Sequence, residues 1–213
     1  MNLPLLSVNV GLPRVIAEVD GIGVVSGIAK SPVAGPSIAV AFTQIEGDGQ
    51  ADLSVHGGAD KAVYAYPTTN WPWWQQVHAV GCEPGSMGEN LTLEGATEDD
   101  IAIGDRFRWG TVLLEVSQPR APCYKLALHT RRPDVPGLMT ASARCGWYLR
   151  VLEEGSGAVY GTLVRERASG GPSIRETFRA LFDRRTPPER IAEIASHPAL
   201  AEIWSKALRK ALP

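Results

Sequence analysis

Apolar and polar residues alternate with a period of two from residue 22 to about residue 166. Short runs of this kind place their apolar side chains on one face, and turn signals separate each run from the next, as in half-buried strands. The runs cover residues 38–42, 91–93, 107–109, 112–116 and 147–151. Many short strands at this spacing predict a barrel, whose closure removes exposed sheet edges.

A hairpin and a helix are predicted inside this β-rich region. Residues 106–114 form two alternating runs that meet at Gly110, which suits a tight reversal of the chain. A helix is predicted near residues 70–80, because Asn70 can cap it and Pro72 suits its first turn. The tryptophans of this helix are interpreted as core residues.

The hydrophobic period changes to 3.6 after the break at Gly170-Gly171-Pro172. Ser173 and Glu176 form a capping box ahead of an amphipathic run, and two further helices follow. Three short helices are too few to bury a core alone, so we expect them to dock on the barrel or on a second subunit, which would make a homodimer. We therefore predict a mainly β, barrel-like fold of the α+β type, with a barrel domain in residues 1–170 and a three-helix domain in residues 171–213.

Composition and charge narrow the classes of function. The chain has 213 residues, 44% of them apolar and 21% charged, with a formal net charge of −2. These values indicate a globular protein with one core and a small appendage, and no membrane partner. The surplus of basic residues in the last helices is interpreted as a solvated surface, so no nucleic-acid partner is expected. The first residues lack the basic start of a secretory signal, and the expected location is the cytoplasm.

Cys123 is the strongest candidate for chemistry. It ends a loop in which Pro119 and Pro122 flank Arg120, so its thiol is held at a fixed place. No Asp or Glu occurs between residues 116 and 133, whereas four Lys and Arg residues do. This field favours the thiolate and attracts an anionic ligand, and a thiolate can act as a nucleophile, carry a persulfide or bind a soft metal. A buried structural cysteine is the alternative interpretation.

Two glycine-rich loops supply further candidates. His56-Gly57-Gly58-Ala59-Asp60-Lys61 combines a titratable ring with glycines that let backbone N–H groups approach an anion and with a lysine that can hold a phosphate. Gly88-Glu89-Asn90 is a similar loop at a strand end. Each loop taken alone is also consistent with an ordinary turn. Cys82 and Cys145 are interpreted as structural, and the motifs of nucleotide-binding loops and zinc hydrolases do not occur.

Together these motifs resemble the MOSC domain, the fold of the C-terminal region of molybdenum cofactor sulfurases. The likeness extends over nearly the whole chain and is strongest to a stand-alone bacterial branch that ends in a three-helix domain. The motifs that carry it are, in order, His56-Gly57-Gly58, Asp60-Lys61-Ala62-Val63-Tyr64-Ala65-Tyr66-Pro67, Gly88-Glu89-Asn90-Leu91, Ile103-Gly104-Asp105-Arg106, Gln118-Pro119-Arg120-Ala121-Pro122-Cys123 and Gly146-Trp147-Tyr148-Leu149-Arg150-Val151-Leu152.

The resemblance implies a cofactor, a reaction and a set of site residues. The cofactor is molybdenum held by molybdopterin, and the reaction is the reduction of N-hydroxylated bases or related N-oxygenated small molecules, with a separate reductase as electron donor. Cys123 would ligate the metal and take part in catalysis, together with His56 or Glu89 as proton-transfer groups. The residues implied in cofactor binding are Lys61, Asn90, Arg120, Arg144, Gly57, Gly58 and Gly88.

The chain departs from the family pattern at two places. Cys145 stands where members commonly carry threonine, which leaves open a disulfide or a persulfide exchange with Cys123. Gly161-Thr162 stands where the last strand usually reads Gly-Asp, so any polar role of that acid is missing. Two alternative functions stay open beside the reductase: a sulfur carrier that holds a persulfide on Cys123, and a non-enzymatic carrier of the cofactor.

Overall fold

The barrel that the alternation predicts is present and closed. The computed structural model describes residues 1–51 and 57–212. Its strands are β1 (Asn2–Val10), β2 (Arg14–Val19), β3 (Ile22–Ser26), β4 (Ser31–Pro32), β5 (Ser37–Ala41), β6 (Gln44–Ile45), β7 (Val63–Pro67), β8 (Leu91–Leu93), β9 (Arg106–Trp109), β10 (Val112–Pro119), β11 (Trp147–Glu153), β12 (Gly155–Ala158) and β13 (Gly161–Arg167). Seven of them form the barrel in the order β13-β9-β10-β11-β7-β8-β1, and pairing of β1 with β13 closes it.

The N-terminal strand completes the barrel, although the predicted alternating region begins only at residue 22. In β1, Leu3 and Leu5 are buried and their neighbours are exposed, so the same period of two operates there. Leu3 lies opposite Leu163 of β13, and Leu5 lies opposite Leu93 of β8. The first residues therefore form a barrel strand with antiparallel partners on both sides.

The predicted hairpin of residues 106–114 corresponds to β9 and β10. Trp109 lies opposite Val112, and Gly110 between them adopts a φ of +60°. This left-handed conformation favours glycine. The prediction of the reversal is therefore confirmed at its central residue.

The helix predicted near residues 70–80 is shorter and less regular than expected. A 3₁₀ turn covers Thr68–Asn70, and a π-helical turn covers Trp73–Val77. The prediction that Asn70 caps this helix is wrong, because its side chain is buried and binds Glu98 instead, at 2.8 Å. Trp74 is fully buried and donates a hydrogen bond to the Tyr66 hydroxyl at 2.6 Å, as suits a core tryptophan.

Five α-helices complete the described part of the chain. The predicted C-terminal trio is present, whereas the pair after Cys123 was not predicted. Helices of seven and eight residues are too short to establish a helical period against the surrounding loops. None of the described helices has the length and apolar character needed to cross a membrane. The helices are α1 (Tyr124–Thr130), α2 (Val135–Ser142), α3 (Ile174–Phe182), α4 (Pro188–Ala195) and α5 (Glu202–Ala211).

A buried ion pair attaches the helical domain to the barrel. Arg175 at the start of α3 donates to Oε2 of Glu98 at 3.2 Å and to the carbonyl of Ser142 at 2.7 Å. Glu98 is fully buried, and its Oε1 accepts hydrogen bonds from Asn70 and from the backbone N–H of Gly146. Burial raises the pKa of Glu98, and these hydrogen bonds and the charge of Arg175 oppose the shift.

Removing the arginine of this pair should destabilise the protein strongly. We expect Arg175→Ala to lower the free energy of unfolding by about 3–5 kcal/mol, because the buried carboxylate of Glu98 loses its cation. Asp99→Asn is the matched control: Asp99 pairs with the same arginine at 2.7 Å, but its side chain is 62% exposed, so a loss below about 1 kcal/mol is expected. Urea unfolding measures both variants, and equal losses would contradict the interpretation.

Candidate functional site

A cavity of about 380 Å³ lies where the barrel meets the helical domain. On the barrel side, the lining includes the segment that follows β3, Lys61 ahead of β7, Asn90 ahead of β8, and the loop after β10. The helical side is apolar. Its lining residues there are Leu181, Ile203, Trp204 and Ala207. The site is therefore composite, with neither domain enclosing it alone.

All charged side chains that line the cavity in the described part of the chain are positive. The charged lining residues are Lys30, Lys61, Arg120 and Lys125. No Asp or Glu among residues 1–51 and 57–212 lines the cavity. A concave site with low-dielectric walls and charge of one sign concentrates the electrostatic potential, so this cavity attracts an anionic ligand.

Cys123 lines the same cavity. It directly precedes α1 in an extended conformation and is partly exposed. The three residues before it, Arg120 to Pro122, also line the cavity. The structure thus brings the predicted metal ligand together with Lys61, Asn90 and Arg120 of the predicted cofactor site.

Arg120 is a buried cation with aromatic and sulfur neighbours. Only 5% of the residue is exposed. One terminal nitrogen lies 3.2 Å from the sulfur of Met139, and the guanidinium carbon lies 5.5 Å from the ring centre of Tyr64. Burial raises the pKa of Tyr148, and the charge of Arg120 and a hydrogen bond from it oppose that shift. No carboxylate in the described residues forms an ion pair with Arg120, so an anion in the cavity would supply the missing counter-charge.

Lys30 is a cavity residue that the sequence analysis missed. Its ammonium pairs with Asp48, and both side chains are almost completely buried. Asp48 also accepts hydrogen bonds from the backbone N–H of Gly11 at 3.0 Å and from the side chain of Asn90 at 2.9 Å. Burial lowers the pKa of Lys30, and the charge of Asp48 opposes this shift. No local motif marks Lys30, because its partner lies 18 positions further along the chain.

Asn90 lines the cavity, but its side chain is already used within the protein. Its Oδ1 accepts a hydrogen bond from the backbone N–H of Tyr64 at 3.0 Å. Its amide nitrogen donates to Asp48 and to the carbonyl of Asn9. Asn90 therefore positions the barrel strands and Lys30. Its predicted contact with the cofactor stays a prediction.

Two of the three predicted glycines line the cavity. Gly57 and Gly88 line it, whereas Gly58 does not. Gly88 has a φ of +82°, and a Cβ atom there would lie 2.6 Å from Cγ1 of Ile28, so this close approach requires glycine. His56 lies outside the described residues.

Two predicted site residues do not line the cavity. Glu89 is fully buried, and its carboxylate accepts hydrogen bonds from the backbone N–H groups of Gly85 at 2.9 Å and Met87 at 3.0 Å. Arg144 instead donates to Asn70 at 2.8 Å and lies over the ring of Trp73. The loop hydrogen bonds of Glu89 and the contacts of Arg144 hold these side chains away from the cavity lining. Their expected roles in proton transfer and in cofactor binding stay predictions.

Glu89 gives stability a distinctive pH dependence. Burial raises its pKa from 4.5 to about 7, so between these pH values the folded protein holds a proton that the unfolded chain has released. The free energy of unfolding should therefore fall as pH rises through this window, by up to about 3 kcal/mol from this one group. Urea unfolding from pH 4.5 to 7.5 measures the fall. We expect a shallower slope in Glu89→Gln, and parallel profiles would contradict the assignment.

The other two cysteines do not share the environment of Cys123. Cys145 is fully buried, and its thiol donates to the carbonyl of Gly146 at 3.2 Å. Burial raises the pKa of Cys145 well above its ordinary value, and burial followed by the charge of Glu89 raises that of Cys82 to about 12. Neither thiol lines the cavity. The three cysteines form no disulfide with one another in this structure.

Comparison with known proteins identifies the class and then the branch. The chain forms a seven-stranded barrel with C-terminal helices, and a cysteine and several cations line the cavity between them. The family profile "MOSC domain" matches residues 52–165, and "YiiM-like, 3-alpha helix domain" matches residues 172–212. This chain therefore belongs to the MOSC domain family, in its YiiM-like branch.

Relatives along the full chain agree with this assignment. The protein YflK of Bacillus subtilis, which is uncharacterized, is 37% identical over 97% of this chain and 93% of its own length. YiiM of Escherichia coli is 31% identical over 87% of this chain and 84% of its own. A protein of Gibberella moniliformis named "Reductase" is 35% identical over 91% of this chain, which corresponds to 35% of that longer protein.

Solved structures show the same fold. The crystal structure of YiiM from Geobacillus stearothermophilus aligns with a TM-score of 0.82 and 35% identity, over 99% of this chain and all of that one. The crystal structure of YiiM from Escherichia coli aligns with a TM-score of 0.77 and 25% identity, over 99% of this chain and 92% of that one. The mainly β barrel with C-terminal helices is thus shared with these proteins.

Proposed function

We propose that this protein binds a molybdenum–molybdopterin cofactor through Cys123 and reduces N-hydroxylated bases or related N-oxygenated compounds. The observation that carries the proposal is a cavity that combines this thiol with four cationic side chains and, in its described lining, no acid. Membership of the MOSC domain family supports the choice of cofactor.

The described residues fit the chemistry of such a cofactor. Molybdopterin carries an anionic phosphate, and its metal accepts a soft thiolate ligand. Cys123 supplies the sulfur, and Arg120 supplies a buried positive charge that has no carboxylate partner among the described residues. Lys61 would hold the phosphate as a second point charge. Lys30, whose charge Asp48 compensates, adds a hydrogen-bond donor at a defined place.

The proposed reaction is a two-electron reduction. The bound molybdenum centre would supply oxygen-atom transfer, which protein side chains do not provide. In the net reaction, an N–OH group takes up two electrons and two protons and gives an N–H group and water. The substrate is a small molecule that enters the cavity beside Cys123.

The protein's own side chains would supply protons and exclude water. Burial lowers the pKa of Lys61, against the opposing charge of Asp60. A bound phosphate would raise this pKa again and keep the ammonium charged as the phosphate ligand. Trp204 and Ile203 form an apolar wall opposite the charged side. His56 stays a predicted proton-transfer residue, whereas the buried position of Glu89 favours a positioning role.

We propose a separate reductase as electron donor and the cytoplasm as location. A separate donor is proposed because the given sequence shows no motif for a flavin, a haem or an iron–sulfur cluster of its own. The relative named "Reductase" supports a redox role for this type of domain. The lack of a disulfide among the three cysteines is consistent with a reducing compartment.

Metal analysis tests the proposal directly. Protein purified from cells that make the cofactor should contain close to one equivalent of molybdenum by elemental analysis. Cys123→Ser should lower this content at least about tenfold, because a hydroxyl is a poor replacement for a soft thiolate ligand. Cys82→Ser is the matched control and should leave it unchanged, because Cys82 does not line the cavity.

Two results would refute this assignment. One is wild-type protein without molybdenum, and the other is Cys123→Ser with wild-type content. Loaded protein that fails to turn over N-hydroxylated bases with any reductant would keep the binding site but support the non-enzymatic carrier instead of the reductase.

A persulfide carrier is the second candidate function. Cys123 lines an open cavity with positive charge, which stabilises a persulfide anion as well as a thiolate. Incubation with a cysteine desulfurase and cysteine should then add about 32 Da to the intact mass of the wild type. Cys82→Ser should gain the same mass and Cys123→Ser should not. An unchanged wild-type mass would exclude this candidate.

A further inference from the structure

Gln118 has a buried polar atom without a partner at the wall of the cavity. It lies near the end of β10, only 2% of the residue is exposed, and its side chain lines the cavity. Its Oε1 is buried and accepts no hydrogen bond from the part of the chain that the structure describes. Buried amide oxygens are nearly always hydrogen-bonded, and leaving one unpaired costs about 1–3 kcal/mol. This cost suggests that a ligand completes the site.

The contrast with Asn90 shows that the missing partner is specific to Gln118. Both residues are buried amides in the same cavity lining. Every polar atom of the Asn90 side chain has a protein partner, namely the backbone of Tyr64 and Asn9 and the carboxylate of Asp48. The fold thus satisfies one amide completely and leaves the oxygen of the other without a partner in the described part of the chain.

The surroundings of Gln118 define what that ligand must offer. The charged side chains of the described lining are all hydrogen-bond donors, so the Gln118 oxygen is a buried acceptor among them. Gln118 lies opposite Tyr148 in the pairing of β10 with β11, so both side chains project from the same face of the sheet. The ring of Tyr148 lies 5.2 Å from that of Tyr64. An acceptor beside two aromatic rings suits the edge of a flat heterocycle that carries an N–H group.

We infer that Gln118 is a specificity-determining residue that accepts a hydrogen bond from an amino-substituted nitrogen heterocycle. This inference rests on the proposed function, because the cations would hold the anionic part of the same bound assembly. Two sources have this chemistry: the aminopyrimidinone ring of a pterin and the ring of an N-hydroxylated aminopurine. Both place an N–H donor on the edge of a flat ring. The test below has one arm for the pterin ring and one arm for the substrate.

The first arm measures ring recognition on purified protein without metal. Lumazine-6-carboxylate lacks the amino donor that pterin-6-carboxylate carries at position 2: a carbonyl acceptor stands there, and the neighbouring N1 carries a hydrogen instead of a free lone pair. Fluorescence titration should give about tenfold tighter binding of the pterin by the wild type, the size expected for one buried hydrogen bond. Gln118→Met, which keeps the length of the side chain and removes the acceptor, should lose this preference.

The second arm measures the substrate with cofactor-loaded protein. If the N–H donor belongs to the substrate, Gln118→Met should raise KM for 6-N-hydroxylaminopurine about tenfold while kcat and molybdenum content stay at wild-type values. Gln76→Met is the matched control in both arms, because Gln76 is an exposed amide that does not line the cavity. It should leave the ring preference and KM unchanged.

The outcomes separate this inference from the proposed function. A lost pterin preference supports the inference and identifies the cofactor ring as its source, and a raised KM supports it and identifies the substrate. The inference is overturned if Gln118→Met changes neither quantity, or if Gln76→Met changes them equally. Wild type without molybdenum refutes the proposed function alone, and the metal-free titration then decides the inference.

Discussion

The buried charge of Arg120 is the constraint on which the site depends. A guanidinium removed from water is costly unless an opposite charge or good hydrogen bonds compensate it. Here its described neighbours are two tyrosines, a methionine sulfur and thiols, none of them a carboxylate. A barrel selected for stability alone would place an apolar residue at this position. The charge is therefore best explained by an anion that the cavity binds, and the acid-free lining has the same explanation.

The cavity depends equally on how the two domains meet. Its barrel side carries the cysteine and the cations, and its helical side carries Trp204 and other apolar residues. The buried pair of Arg175 and Glu98 holds the first C-terminal helix on the barrel, and Glu98 also binds the backbone of Gly146, next to the strand that carries Tyr148. The domain interface that encloses the cavity therefore also positions β11, the strand that carries Tyr148 in the cavity wall. In the proposed function, the charge would select the ligand and the apolar wall would exclude water around it.

Local sequence patterns predicted the strands and helices, which depend on neighbouring residues. They failed for site residues whose position depends on contacts with distant parts of the chain. Strand alternation and the capping box gave the barrel and the C-terminal helices, because burial on one face imposes a period. Lys30 could not be found, because only the fold brings Asp48 to it. Glu89 and Asn90 are adjacent in one motif, yet only Asn90 lines the cavity. A motif shows which residues belong together but not which side chain faces the ligand.

The three cysteines also show that the fold, and not the residue type, determines which side chain belongs to the site. Cys145 is buried, and its thiol donates to the carbonyl of Gly146. Cys82 is partly buried with its pKa raised to about 12, which keeps it a thiol. Only Cys123 combines a place in the cavity wall with an acid-free, cationic lining, because the proline-flanked loop brings it beside Arg120.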